Sequence, residues 1–192
     1  TVQYIQDDLA GAAETLNSSI QVDDRYYPTY LLLGDVRTAQ NDLPAALEAY
    51  QRAAEISPKN ISVLSAVGVT GAEAGQPQAS VDAFQRIISL QTAALQATQA
   101  QLTQLNREAT AAGGYDKLQA NATTQRQQLE QQVSGQEQQL FRAYRNLALV
   151  LRDMGQTSDA LAAALAALQY APESERADVE SLIATLQGQA KP

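Results

Sequence analysis

Residues 27–94 of this chain repeat themselves at an interval of 34. Tyr30, Leu33, Gly34, Asn41, Ala46, Tyr50, Ala53 and Pro58 fall, one interval later, on Leu64, Val67, Gly68, Gly75, Ser80, Phe84, Ile87 and Thr92. A third match runs through Tyr144, Leu147, Ala148, Gly155, Ala160, Ala164, Ala167 and Pro172. A fixed period of this length marks a stacked array, in which one short supersecondary unit recurs and buries its apolar face on its neighbour. The residue types describe that unit as two antiparallel helices. Large residues at its fourth and seventh positions fill the space between them. A small eighth residue (Gly34, Gly68, Ala148) lets the helices approach closely, and a small twentieth lets the second pack tightly. Asn41, Gly75 and Gly155 tolerate positive φ and so end the first helix. Pro58 and Pro172 stop the second.

Composition agrees with this reading. The chain is 45% hydrophobic, much of that alanine, and is rich in leucine, glutamine and glutamate, all good helix formers. It has no alternating run long enough for a convincing strand. The whole pattern resembles the tetratricopeptide-repeat (TPR) family over residues 27–60, 61–94 and 141–174. The resemblance implies an all-α fold, a TPR-type α-solenoid of helix-turn-helix repeats, and the work of a protein-interaction scaffold rather than an enzyme. The flanks fit the same plan. In 1–26, an N-terminal helix carries Ile5, Leu9, Ala12, Ala13, Leu16 and Ile20 on one face. In 175–192, Ala177, Leu182, Ile183 and Leu186 mark a C-terminal capping helix. Glu173, Glu175 and Asp178 suit its N-terminus.

Between the second and third matches something is inserted. Tyr144 lies 114 residues after Tyr30, three periods plus twelve, and Thr92 stands where a proline stop belongs. Without a stop the second helix runs on. Phe84, Ile88, Gln91, Leu95, Thr98, Leu102, Leu105, Ala109 and Ala112 follow heptad spacing to Gly113-Gly114. Leu118, Ala122, Gln125, Leu129, Val133, Gln136 and Leu140 follow the glycines. Folded at the glycines, Leu105 meets Ala122, Thr98 meets Leu129 and Gln91 meets Gln136. Residues 95–140 thus read as a long antiparallel helical hairpin, an arm of coiled-coil type. The other reading of the same residues is a degenerate repeat at 99–132, with helix breaks near 94–98 and 133–136.

Charge and composition exclude several kinds of chemistry. A net charge of −8 and a pI near 4.5 disfavour nucleic acid and anionic lipid, which need a basic surface. Cysteine and histidine are absent, which removes the thiolate nucleophile, the usual neutral-pH base and the commonest metal ligand. No apolar run approaches the ~20 residues needed to span a bilayer. Asp7-Asp8 and Asp23-Asp24 are sequence neighbours that diverge on a helix, and read as helix-start or solvated charge. No catalytic residue, metal site or cofactor is expected.

Family resemblance also implies where a partner lies, in a groove lined by the first helix of each repeat. The implied positions are Pro28, Leu31, Asp35, Thr38 and Ala39, then Ser62, Ser65, Val69, Ala72 and Glu73, then Arg142, Arg145, Leu149, Arg152 and Asp153. Leu31, Asp35, Ser65 and Val69 stand where some relatives carry a Lys/Asn clamp for a terminal carboxylate, so that type of recognition is not expected. Arg142, Arg145, Leu149 and Arg152 share one helical face. In an acidic chain this cationic stripe points to a carboxylate or an acidic peptide. Neutralisation of nearby acidic surface is the plainer reading of the same stripe. Two other functions compete: self-association into a homo-oligomer through the arm, and service as a non-catalytic domain of a larger bacterial envelope or polysaccharide-assembly protein. The start at Thr1 motivates the second, and the sequence assigns no compartment.

Overall fold

The computed structural model describes residues 8–118 and 121–189, so Ile5 and Asp7 lie outside it. Among the described residues the regular structure is entirely helical. Eight α-helices follow in order: α1 (Leu9–Val22), α2 (Tyr27–Ala39), α3 (Leu43–Ile56), α4 (Ile61–Glu73), α5 (Pro77–Ala112), α6 (Ala122–Asp153), α7 (Thr157–Tyr170) and α8 (Glu173–Gln189). A 3₁₀ turn, Tyr115–Lys117, separates α5 from α6. The chain forms two compact units, residues 1–87 and 88–192, whose boundary falls inside α5.

In the first unit the helix ends follow from local chemistry. Asp8, Asp42 and Asn60 cap α1, α3 and α4, each accepting from a backbone N–H two or three residues on. Pro28 and Pro44 sit in first turns, where their missing N–H costs nothing. Asn41 (φ 60°) and Gly75 (φ 72°) take the left-handed conformation. At each, two backbone bonds close the helix behind it: Asn41 N–H to Thr38 O with Asp42 N–H to Arg37 O, and Gly75 N–H to Ala72 O with Gln76 N–H to Gly71 O. This is the Schellman closure.

Close approach of the paired helices then depends on two glycines. A Cβ on Gly34 would lie 2.3 Å from the Tyr50 ring, and one on Gly68 2.7 Å from the Phe84 ring. Position eight is small because an aromatic residue sixteen positions later occupies its side-chain space. At position twenty, Ala46 and Ser80 are fully buried. The Ser80 hydroxyl donates to the Gly68 carbonyl at 2.6 Å, so the one polar residue there is satisfied. Leu33, Val36, Ala49 and Ala13 form a core against which Leu9, Ala12, Leu16 and Ile20 of α1 pack. Tyr50 also carries a polar bond, its hydroxyl donating to Asp35 Oδ1 at 2.8 Å. Burial, with the Asp35 carboxylate beside it, pushes the phenol up to about 12.

The second unit repeats the helix-ending device and varies the packing one. Gly155 (φ 75°) ends α6 with the same pair of bonds, Gly155 N–H to Arg152 O and Gln156 N–H to Leu151 O. Here positions eight and twenty-four are Ala148 and Ala164, both fully buried. Two alanines replace the glycine and aromatic ring. The aromatic contact moves instead to Tyr144 and Tyr170, whose rings stack 6.2 Å apart and 2° from parallel. α7 ends at Tyr170, just before Pro172. α8 buries Val179, Ile183 and Leu186. Of the residues read from the sequence, Ala177 is exposed and Leu182 only half-buried, because Val179 and not Ala177 is in phase with Ile183 and Leu186.

α5 and α6 settle the two readings of the insertion. α5 runs 36 residues through 94–98, and α6 runs 32 residues through Ser134 and Gly135. Neither helix breaks where a degenerate repeat requires it. The register, however, is one heptad away from a fold at two glycines. Gln136 Nε2 donates to Thr98 Oγ1 at 3.0 Å, so Thr98 meets Gln136 and not Leu129. Leu105, Ala122 and Leu129 share one cluster with Leu102, Tyr115 and Leu118 around it. The connection spans Gly113 to Asn121, not two residues. Gly113 (φ 83°) closes α5 with the Schellman pair, and Tyr115–Lys117 then winds a short turn. Those extra residues displace the pairing. The seam also changes membership: Gln125 is exposed, and Arg126 takes its place, its guanidinium 5.1 Å over the Tyr115 ring.

Two outcomes test these arrangements. Thr98→Val alone leaves the Gln136 amide buried without its partner and destabilises the chain by about 1–3 kcal/mol in urea unfolding. Adding Gln136→Leu removes the orphan and returns stability to the wild-type value or above it. The second concerns Tyr50. Its folded value lies above the ordinary phenol's 10.0, so its contribution to stability is whole below that pH and is lost as pH climbs towards about 12. Absorbance titration of tyrosinate should show a late component near that pH that disappears in Tyr50→Phe.

Candidate functional site

The implied partner positions divide between the two units. In the first, Leu31 and Asp35 lie on α2, and Ser65 and Val69 on α4. Leu31 is half-buried and packs on two core clusters, one containing Leu47, Tyr50 and Val67, the other Tyr30, Ala53 and Val63. Asp35 is exposed at the surface but is held by the Tyr50 hydroxyl. Ser65 is half-buried, and Val69 is 45% exposed. Among these four positions the one carboxylate, Asp35, already accepts a hydrogen bond. The sequence did not show that bond. Fifteen residues separate Asp35 from Tyr50, and only the antiparallel return of α3 along α2 joins them.

In the second unit Arg142, Arg145, Leu149 and Arg152 are carried by α6, which the Gly155 turn ends just beyond them. Arg142 is exposed, and the other three are half-buried. Two arginines already meet carboxylates. Arg145 Nη1 lies 3.7 Å from Glu175 Oε2 of α8. Arg152 grips its neighbour Asp153 through Nη2 at 2.7 Å and Nε at 2.9 Å. All four side chains in these pairs are more than a third exposed. Exposed pairs of this kind contribute about 0–1 kcal/mol each. The stripe is thus a real surface feature and is partly neutralised by the chain's own acids. Glu175 reads from the sequence as a helix-start charge, which it also is. Its approach to Arg145 joins residues thirty apart in sequence, which no local pattern records.

Other residues singled out by sequence have structural roles. Asp8 is a helix cap, Asp23 accepts from the Arg25 N–H at 2.9 Å, and Tyr30 is core. No helix among the described residues is long and apolar enough to cross a membrane.

Comparison with known proteins is consistent with this geometry where it is informative. Residues 34–75 match the family model described as TPR repeat. Over 58 residues, 30% of this chain, the chain is 36% identical to the BBSome complex member BBS4 of Mus musculus. That match spans 11% of the relative's own length. Among solved structures, the MamA protein is similar at 19% identity and a TM-score of 0.44, covering 92% of this chain and 88% of that one. The APC/C hetero-tetramer Cut9-Hcn1 contains a chain similar at 13% identity and a TM-score of 0.35, covering 95% of this chain and 40% of that one. Both scores are below 0.5, and neither likeness carries weight. The matched stretch runs from Gly34, through the Asn41 turn, to Gly75, the span in which the paired helices pack around Gly34 and close at Asn41 and Gly75. Residues 34–75 thus match a TPR repeat in sequence, and they lie within an all-helical array of paired helices.

Proposed function

We propose that this chain is a protein-interaction scaffold whose second unit receives an acidic peptide or partner segment on the α6 face of Arg142, Arg145, Leu149 and Arg152. Repeats of this type serve generally to bind other proteins, and the fold by itself names no partner. The observation that carries the acidic choice is the Arg145–Glu175 pair: a carboxylate already rests on this face, at 3.7 Å, in an exposed and weak contact. A ligand bearing several carboxylates replaces one such contact and adds others on Arg142 and Arg152. Leu149, half-buried between them, supplies an apolar floor for the ligand's backbone or side chains. Arginine suits this task because its planar fork grips a carboxylate through two N–H groups.

In the first unit the corresponding contacts are of another kind. Leu31 and Val69 offer apolar surface and Ser65 a hydroxyl, which suits an uncharged segment.

Binding of a glutamate-rich peptide, followed by fluorescence anisotropy at low salt, tests this reading. Arg145→Ala with Arg152→Ala should weaken binding by roughly tenfold or more, since hydrogen bonds to charged groups contribute about 1.5–3 kcal/mol each. Rising salt should weaken the wild-type complex as well. Equal binding by wild type and the double variant would remove the α6 face as the site.

A further inference from the structure

Arg145 and Glu175 stand where the earlier repeats carry uncharged residues. The positions equivalent to Arg145 are Leu31 and Ser65. Those equivalent to Glu175 are Ile61, which opens α4, and Phe141 in α6. Leu31 and Ile61 are half-buried, and Phe141 is buried. A cation and an anion thus enter the array together, and Arg145 Nη1 meets Glu175 Oε2 at 3.7 Å. The rest of the arginine stripe is held unevenly. Arg152 Nη2 grips Asp153, its own neighbour, at 2.7 Å. Arg142 is exposed and makes no ion pair among the described residues.

We infer that Glu175 is an internal competitor for the α6 face, and that it raises the threshold of the site so that clustered carboxylates bind and a lone one does not. This rests on the acidic-partner reading of α6. A ligand carboxylate that displaces Glu175 exchanges one exposed ion pair for another of the same kind, with no net gain. Glu175 needs no association step, whereas a free ligand loses translational freedom on binding. A lone carboxylate on Arg142 makes a single exposed contact, too weak to hold a segment. The balance changes when one ligand brings several carboxylates. One of them finds Arg142, which gives up no internal partner. Arg142 and Arg145 are about 4.5 Å apart along α6 at ~1.5 Å per residue, and Arg152 is about 10.5 Å farther on. Neighbouring carboxylates therefore reach the first two arginines together, and a more distant one reaches the third.

Glu175 also lies in the first turn of α8, where any carboxylate favours the helix N-terminus. That role does not require a contact with Arg145. Glu173 shares the same turn and approaches Arg176 of its own helix instead, at 3.5 Å. Loss of the Glu175 charge therefore leaves α8 with an acidic start.

The test uses the full chain and fluorescence anisotropy at low salt. One peptide carries a run of glutamates, and the other a single glutamate among alanine and serine. Both are blocked at their ends, so that no terminal carboxylate remains. Wild type should bind the first peptide and not the second. Glu175→Gln keeps the shape of the side chain and should tighten the glutamate-run peptide by roughly two- to fivefold, the range of an exposed ion pair. The gain should vanish in the Arg145→Ala background. Glu180→Gln removes the same charge from another exposed position of α8 and should leave the affinity unchanged. The competitor is overturned, and the acidic-partner reading kept, by any of four results. These are no gain in Glu175→Gln, an equal gain in Glu180→Gln, a gain that survives Arg145→Ala, or equal wild-type binding of the two peptides. If neither peptide binds wild type or Glu175→Gln, the acidic-partner reading falls and the competitor with it.

Discussion

Everything in the repeated part of this molecule depends on how closely two antiparallel helices can approach. The approach is set by the pairing of positions eight and twenty-four. Gly34 leaves space that the Tyr50 ring fills, and Gly68 leaves space for Phe84. In the third repeat Ala148 and Ala164 take these two positions, and both are fully buried. What recurs is a small residue at position eight, opposite an aromatic ring in the first two repeats and a methyl group in the third. The turn residue then fixes the direction of the return. Asn41, Gly75 and Gly155 each place one residue at positive φ and close the first helix with the same two backbone bonds. Packing and turn are thus separate constraints that agree, which is what lets a short unit recur with so little identity between copies.

Where one stop signal is missing, the same physics gives a different object. Thr92 does not end its helix as Pro58 and Pro172 do, and α5 continues to Ala112. Its partner α6 returns with a seam in which polar layers interrupt the leucines. Thr98 and Gln136 face each other through one hydrogen bond, while Gln136 Oε1 and Arg126 Nε are buried without partners. Such groups weaken a core but also mark a register, since a polar layer is costly to place opposite an apolar one. The hairpin is therefore specified more by its polar layers than by its leucines.

The repeat, its turns, its helix stops and the unbroken hairpin were all legible in the sequence. Each rests on a residue type with a local physical consequence: glycine or asparagine at positive φ, proline after a helix, leucine at heptad spacing. What was not legible depends on distance through space. The hairpin register could not be read because nothing in Gly113-Gly114 announces that the connection extends to Asn121. That same slip put Gln125 in the seam, where the structure has Arg126. The candidate face on α6 was visible as arginines at helical spacing, but its partial neutralisation by Glu175 was not. Glu175 reaches Arg145 from α8, which packs on α7, so the pair forms only in the folded array. The Asp35–Tyr50 bond was hidden for the same reason.

The small eighth residue is a steric necessity imposed by the aromatic ring opposite it, and a two-residue stability cycle at Gly34 and Tyr50 tests that most directly. Urea unfolding would be measured for the wild type, Gly34→Ala, Tyr50→Ala and the double variant. In the wild-type background Gly34→Ala should destabilise by about 1–3 kcal/mol, because the added methyl overpacks against the ring. In the Tyr50→Ala background the same change should be stabilising by roughly 0.5–1 kcal/mol, the ordinary preference of a helix for alanine over glycine. If Gly34→Ala had the same effect in both backgrounds, the glycine would not be there to make room for the ring, and ring size would not set how closely the two helices pack.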